Sequence, residues 1–109
     1  MRRGEIWTGS AGSGYVGKPR PVVIVQSDDF LATESVTVCP FTTDPADAHM
    51  MRIFVEPDTT NRLSRECSVM VDKISTLSRA KLGVQIGVLD DERMRAIQAA
   101  LVVFLGLAG

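Results

Sequence analysis

Arg20 is the residue whose placement carries the most chemistry. It stands at the mouth of the β-branched run Pro21-Val22-Val23-Ile24-Val25-Gln26, directly after a stretch, Thr8 to Gly17, that carries Gly12, Gly14 and Gly17. A guanidinium held by a rigid strand beside an open loop suits the clamping of a phosphate through a planar fork of donors. The same placement fits an exposed arginine paired with a local carboxylate, and spacing does not choose between the two. Thr42 and Thr43 close the next hydrophobic strand. There a hydroxyl could donate to the same anion, or serve turn chemistry alone. The other catalytic inventories come up empty. His49, the only histidine, reads as a solvated loop residue. Cys39 and Cys67 are far apart and belong to no Cys/His cluster, so no zinc framework is legible. Gly12-Ser13-Gly14 precedes no helix, and Gly17-Lys18 lacks the spacing of a phosphate-binding P-loop. Asp28-Asp29 and Asp90-Asp91 are explained by a turn and a helix start.

The charge distribution sharpens this anion-binding reading. With 12 Lys and Arg against 13 Asp and Glu in 109 residues, the chain cannot coat nucleic acid through bulk positive charge. The charges are segregated, however. Arg2, Arg3, Lys18 and Arg20 face only Glu5 in the first segment, and Arg62, Arg65, Lys73, Arg79 and Lys81 dominate residues 61–81. The acid lies between them. If the two basic segments meet in the fold, they form a local anion site without a net positive charge.

Strands must position these groups. Apolar or alternating runs predict strands at Glu5–Trp7, Pro21–Gln26, Ser35–Phe41, Arg52–Val55, Cys67–Ile74 and Leu82–Leu89, with polar loops at Thr42–His49 and Pro57–Ser64. A helix follows. Asp90 reads as its N-cap, Asp91 and Glu92 complement its dipole, and Met94, Ile97, Leu101, Phe104, Leu105 and Ala108 form an apolar stripe. Val102 and Val103 add apolar surface off that stripe, which favours cover by a partner subunit over cover by the chain's own barrel. The expectation is one mainly β (α+β) domain over residues 1–109, a strongly curved sheet or partly open barrel with a helix packed on it. No apolar run follows the basic residues at the start, and Ala96–Ala108 is shorter than the roughly 20 residues of a membrane span. A cytoplasmic protein without membrane contact is therefore expected.

Four blocks in order extend the argument: Arg3-Gly4-Glu5-Ile6-Trp7, Arg20-Pro21-Val22-Val23-Ile24-Val25-Gln26, Cys39-Pro40-Phe41-Thr42 and Asp72-Lys73-Ile74-Ser75-Thr76-Leu77. Together they resemble the MazF/PemK (Kid) family of toxin endoribonucleases over nearly the whole chain. The resemblance implies a small SH3-like, partly open β-barrel of the MazF/Kid/CcdB type with a C-terminal helix. It also implies a homodimer acting as the toxin of a type II toxin–antitoxin system, inhibited by a cognate MazE-like antitoxin. The implied reaction is cleavage of single-stranded RNA at short sequence motifs, without metal or cofactor. The family's arginine in the R-P block matches Arg20, its strand-closing threonine matches Thr42, and the acid some members use falls on Asp72. Two departures stand out. Met70 occupies the place where those members carry an arginine, two residues before the acid, and a first-loop histidine is replaced near Tyr15.

Such a reaction fits the empty inventory, because RNA supplies its own nucleophile, the 2'-hydroxyl. The enzyme need only stabilise the phosphorane, with Arg20 supplying charge, Thr42 a hydroxyl, and Asp72 or Glu34 a candidate base. Arg3, Lys18, Arg62, Arg65 and Lys73 are candidates for RNA phosphates, and Tyr15 or Trp7 for stacking on a base. Trp7 fits a core aromatic better. Two rival readings remain: a gyrase poison of the CcdB type, which the ending Leu107-Ala108-Gly109 disfavours because that activity needs Trp-Gly-Ile, and a non-catalytic binding module whose acidic segment 28–58 docks a basic partner.

Overall fold

Val22, Val23 and Ile24 follow one another with exposures of 0, 0 and 1%. A strand buried on both faces must lie inside a sheet with cover on each side. The computed structural model, which describes residues 1–10, 19–45 and 49–107, shows this arrangement. The strands are β1 (Glu5–Gly9), β2 (Arg20–Ile24), β3 (Ser35–Thr42), β4 (Arg52–Val55), β5 (Cys67–Met70), β6 (Ser75–Ser78) and β7 (Leu82–Val88), followed by helix α1 (Asp91–Phe104). They form one sheet in the order β4-β5-β3-β2-β1-β7, with β6 also paired to β3. The described pairings are antiparallel and leave the sheet unclosed, a partly open barrel. Val23 and Val25 point into the main core beneath α1, while Val22 and Ile24 join Val36, Val38, Leu77 and Leu82 in a second cluster.

Strand β3 changes partner along its length. Its first half, Ser35–Val38, pairs with β6, and its end, Phe41 and Thr42, pairs with β5. Pro40 falls where the partner changes, a position at which its missing N–H breaks no ladder on that edge. The run expected as one strand, Cys67–Ile74, is instead split by a 3-10 turn at Val71–Lys73, closed by Ile74 N–H donating to the Val71 carbonyl. Asp72 and Lys73 supply the polar interruption, and Ser75–Ser78 continues in the same direction along β3 as a strand of its own.

The loop from Glu56 to Glu66 is pinned rather than loose. Asn61, 1% exposed, donates from Nδ2 to the Glu56 carbonyl and accepts at Oδ1 from the amides of Asp58 and Leu63. Thr60 accepts from the amide of Val88 on β7. The loop lies so close to β7 that a Cβ on Gly87 would sit 2.3 Å from the Asn61 carbonyl oxygen, so only glycine fits.

Asp90 caps α1 as expected, its carboxylate accepting from Arg93 N–H at 3.1 Å. The buried stripe is shorter than predicted. Met94, Ile97 and Ala100 are buried, Leu101 is half-buried, and Phe104 and Leu105 are 45% and 51% exposed. The helix runs past the edge of the core before Gly106, at φ +73, ends it, and Ala108 lies outside the described residues. Among the described residues no helix is long and apolar enough to cross a membrane.

Candidate active site

The R-P sequence that starts β2 and the threonines that end β3 meet because the two strands are antiparallel. Val22 is level with Pro40, and carrying that register two residues further sets Arg20 level with Thr42. Arg20 and Thr42 line a cavity of about 150 Å³ together with Leu63, Ser64 and Arg65. Arg65 arrives on the loop that Asn61 braces. The two basic segments of the chain therefore do meet, through one arginine from each. Thr42 Oγ1 accepts from the amide of Asp44 at 3.1 Å, which orients the hydroxyl and leaves its proton available to an outside acceptor.

A second cavity of about 510 Å³ opens on the other side of Thr42 and Thr43, and Cys67 belongs to both. Its walls include Asp44, His49, Arg52, Phe54, Glu66 and Ser68. Burial pushes the Cys67 thiol up to about 11 and the Cys39 thiol, with help from the charge of Asp72, up to about 12. Neither is a thiolate at neutral pH, so neither offers a sulfur nucleophile.

Asp72 lines neither cavity. It sits behind the larger one, where Arg52 Nε and Nη2 donate to its two carboxylate oxygens at 3.0 and 3.3 Å. His49 Nε2 is 3.9 Å from the same carboxylate, and His49 Nδ1 accepts from the amide of Met51 at 3.2 Å. Burial favours the neutral acid, but the hydrogen bond and charge of Arg52, a backbone hydrogen bond and the nearby His49 outweigh it and hold Asp72 below the usual carboxylate range. Arg52 stands directly opposite Met70 across the β4–β5 ladder. The guanidinium absent at position 70 is thus delivered to Asp72 from the neighbouring strand, with an arginine side chain that is only 4% exposed.

The remaining expected residues are dispersed. The Arg3 guanidinium donates to the Val25 carbonyl and reaches Gln98 on α1, tying the helix to the end of β2. Lys73 is exposed on the turn after β5, and Arg62, exposed with φ 57, stands on the braced loop; neither lines a described cavity. Tyr15 and Lys18 lie outside the described residues. Trp7 packs on the second core cluster, and its indole donates to Glu5. Glu34 precedes β3 while Thr42 ends it, which separates them by about 26 Å of strand. Arg52, Phe54 and Ser68 were missed by sequence reasoning, and His49, read as a solvated loop residue, lines the larger cavity instead. Alternation within Arg52-Ile53-Phe54-Val55 was the available signal, since it sets Arg52 and Phe54 on the face away from the core.

The sequence profile of the family described as PemK-like, MazF-like toxin of type II toxin–antitoxin system matches residues 2–105. The chain belongs to the PemK/MazF toxin family. A relative from Mycolicibacterium smegmatis, named probable endoribonuclease MazF, is 50% identical over 109 residues and the full length of both chains. Endoribonuclease MazF6 of Mycobacterium tuberculosis is 32% identical over 106 residues, covering 93% of each chain. Among solved structures, an endoribonuclease in complex with its cognate antitoxin from a mycobacterial species superposes with a TM-score of 0.78 at 26% identity, over 98% of this chain and 96% of that one. In this PemK/MazF toxin, the Arg20–Thr42 edge and the two cavities beside it are thus carried on the family's own barrel.

Proposed function

We propose that this toxin cleaves single-stranded RNA by attack of the RNA's own 2'-hydroxyl on the adjacent phosphate, without a metal, with the scissile phosphate between Arg20 and Thr42. The observation that carries the reading is that Arg20 and Thr42, at the ends of adjoining strands, line one cavity together with Arg65. The oxygen–phosphorus bond forms as the 2'-hydroxyl loses its proton, and the 5'-oxygen leaves and takes one up, giving a 2',3'-cyclic phosphate. Negative charge grows on the non-bridging oxygens on the way. Arg20 and Arg65 supply positive charge there, and the Thr42 hydroxyl donates one hydrogen bond. A guanidinium keeps its proton at physiological pH, so Arg20 serves by charge and orientation. Asp72, ionised and locked to Arg52, enters as the acid that orients Arg52 and His49 toward the larger cavity. No protein nucleophile is required, in keeping with two protonated thiols.

The mycobacterial structure that shares the fold is an endoribonuclease bound to its cognate antitoxin. A MazE-like antitoxin with an acidic tail is the corresponding partner here, drawn by the same arginines that face RNA. The exposed apolar end of the chain, Val103, Phe104, Leu105 and Leu107, supports a homodimer. The site of action is the cytoplasm, where the RNA is.

Purified protein incubated with a long single-stranded transcript in EDTA tests the reading. Cleavage to 2',3'-cyclic phosphate ends is expected, and intact RNA at high protein concentration would reject it. Arg20→Ala and Thr42→Ala should each lower the cleavage rate by about 100-fold or more, roughly 3 kcal/mol of transition-state stabilisation, with the fold retained. Wild-type cutting by Arg20→Ala would remove the site assignment.

A further inference from the structure

Arg62 holds a backbone conformation that its residue type disfavours. Its φ is 57, and among the described residues it is the one non-glycine on the left-handed side. The turn that leads to it is built by Asp58, whose carboxylate accepts from the amides of Thr60 and Asn61 at 2.9 and 2.6 Å. Arg62 N–H then closes the turn on the Asp58 carbonyl at 3.0 Å, the bond of a left-handed cap, where glycine is the usual residue because it has no Cβ. Nothing in the turn calls for an arginine. Its side chain is exposed, and among the described residues no hydrogen bond or ion pair engages the guanidinium of Arg62 or of Arg65. Other arginines are committed: Arg2 to Asp28, Arg52 to Asp72, Arg79 to the carbonyls of Phe30 and Thr33, and Arg93 to Asp90 and Glu92. Leu63, Ser64 and Arg65 line the cavity of about 150 Å³ that holds Arg20 and Thr42 and has no carboxylate on its described wall. Arg62 therefore stands at the rim of that cavity, its Cα at most about 11 Å from that of Arg65. The brace on Asn61 fixes this rim in place.

We propose that Arg62 binds the RNA phosphate next to the scissile one, and that the turn keeps an arginine in a glycine conformation to set a positive charge at that point. The proposal rests on the endoribonuclease reading. Strained backbone persists where the surrounding structure over-determines it and function uses it, and the buried Asn61 side chain holds this turn. When Arg20 and Arg65 hold one phosphate of a strand, a neighbouring phosphate lies within reach of an arginine side chain on the rim. Arg62 touches neither reacting oxygen. It is a positioning residue that acts on binding through charge, whatever the base.

The test uses three variants and a short RNA containing one strong site, mapped beforehand on a long single-stranded transcript. Arg62→Ala keeps the strained conformation and removes the charge, Arg62→Gly removes both, and Arg62→Lys keeps the charge. Kd is measured on the same RNA with a 2'-deoxy nucleotide at the cut, which lacks the attacking hydroxyl. Arg62→Ala and Arg62→Gly should each raise Kd and KM by roughly 3- to 10-fold at low salt, with kcat moving far less. Both should also reduce the slope of log Kd against log salt by about 0.7, the value of one single-strand phosphate contact, while Arg62→Lys keeps most of that slope. Arg62→Gly should melt a few degrees above Arg62→Ala, and an equal or lower midpoint would show an unstrained turn and remove the ground of the proposal. Each phosphate flanking the cut is then replaced in turn by an uncharged methylphosphonate. At one position, wild type and Arg62→Ala should bind the modified RNA with equal Kd. A wild-type Kd and salt slope in Arg62→Ala on the unmodified phosphates would overturn the proposal. So would a wild-type Kd for RNA joined to weaker inhibition by oligoglutamate, which would assign the arginine to an acidic protein partner. A wild type that cuts no RNA would overturn the nuclease reading itself, an outcome distinct from a fully active Arg62→Ala.

Discussion

Arg52 changes the meaning of Asp72. Read along the chain, Asp72 is an acid in a recognisable block that lacks its neighbouring arginine, because Met70 stands there. Across the ladder, Arg52 faces Met70 and takes the carboxylate in two hydrogen bonds. Asp72→Asn removes the carboxylate charge that takes two hydrogen bonds from an almost fully enclosed guanidinium. The expected loss is on the order of 2–3 kcal/mol, below the value for a wholly buried pair because Asp72 is itself 21% exposed, and urea unfolding would measure it. The pH dependence has a definite sign. Asp72 titrates lower in the folded protein than in the unfolded chain, so its contribution is complete above the unfolded-state value of about 4 and is lost as pH falls through the lower folded-state value. The wild type should therefore lose thermal stability more steeply than Asp72→Asn below about pH 4. Equal slopes would show that the pair is not coupled to folding.

At the scale of elements, the loop from Glu56 to Glu66 has the largest consequence for the site. It reads as a polar surface loop, yet a buried asparagine organises it and a glycine on β7 receives it. Gly87→Ala puts a methyl group into the Asn61 backbone, which must move away and carry Arg65 with it. Lower stability and slower RNA cleavage are expected together, and normal cleavage in a folded Gly87→Ala protein would detach Arg65 from the site. The helix start is simpler. Asp90→Ala removes the acceptor for the Arg93 amide and should cost about 1 kcal/mol in denaturant unfolding without a change in the cavities. Both strands that carry the Arg20–Thr42 pair were legible, because β-branched runs bounded by Pro, Gly and Thr read as strands from local pattern alone. The split of Cys67–Ile74 was not. Weak alternation across Val71-Asp72-Lys73 looks continuous until β6 finds its place against β3.

For the whole molecule, the exposed Val103, Phe104, Leu105 and Leu107 gather at one end of the chain, beyond the last buried residue of α1. If the proposed homodimer forms through this patch, a charged residue there, as in Phe104→Glu, should shift sedimentation from dimer to monomer, and an unchanged dimer would place the subunit contact elsewhere. The sequence by itself determined the strand and helix content, the curved-sheet class, the family, and the places of Arg20 and Thr42 at the ends of neighbouring strands. Those rest on local periodicity, end signals and ordered blocks, all of which are written along the chain. Only the tertiary structure decided which charges share a surface. Arg65 joined Arg20, Arg3 went to brace the helix, and Arg52 replaced the missing guanidinium beside Asp72. Cross-strand register and loop docking set those neighbours, and both depend on residues distant in sequence packing against one another, which no local pattern encodes.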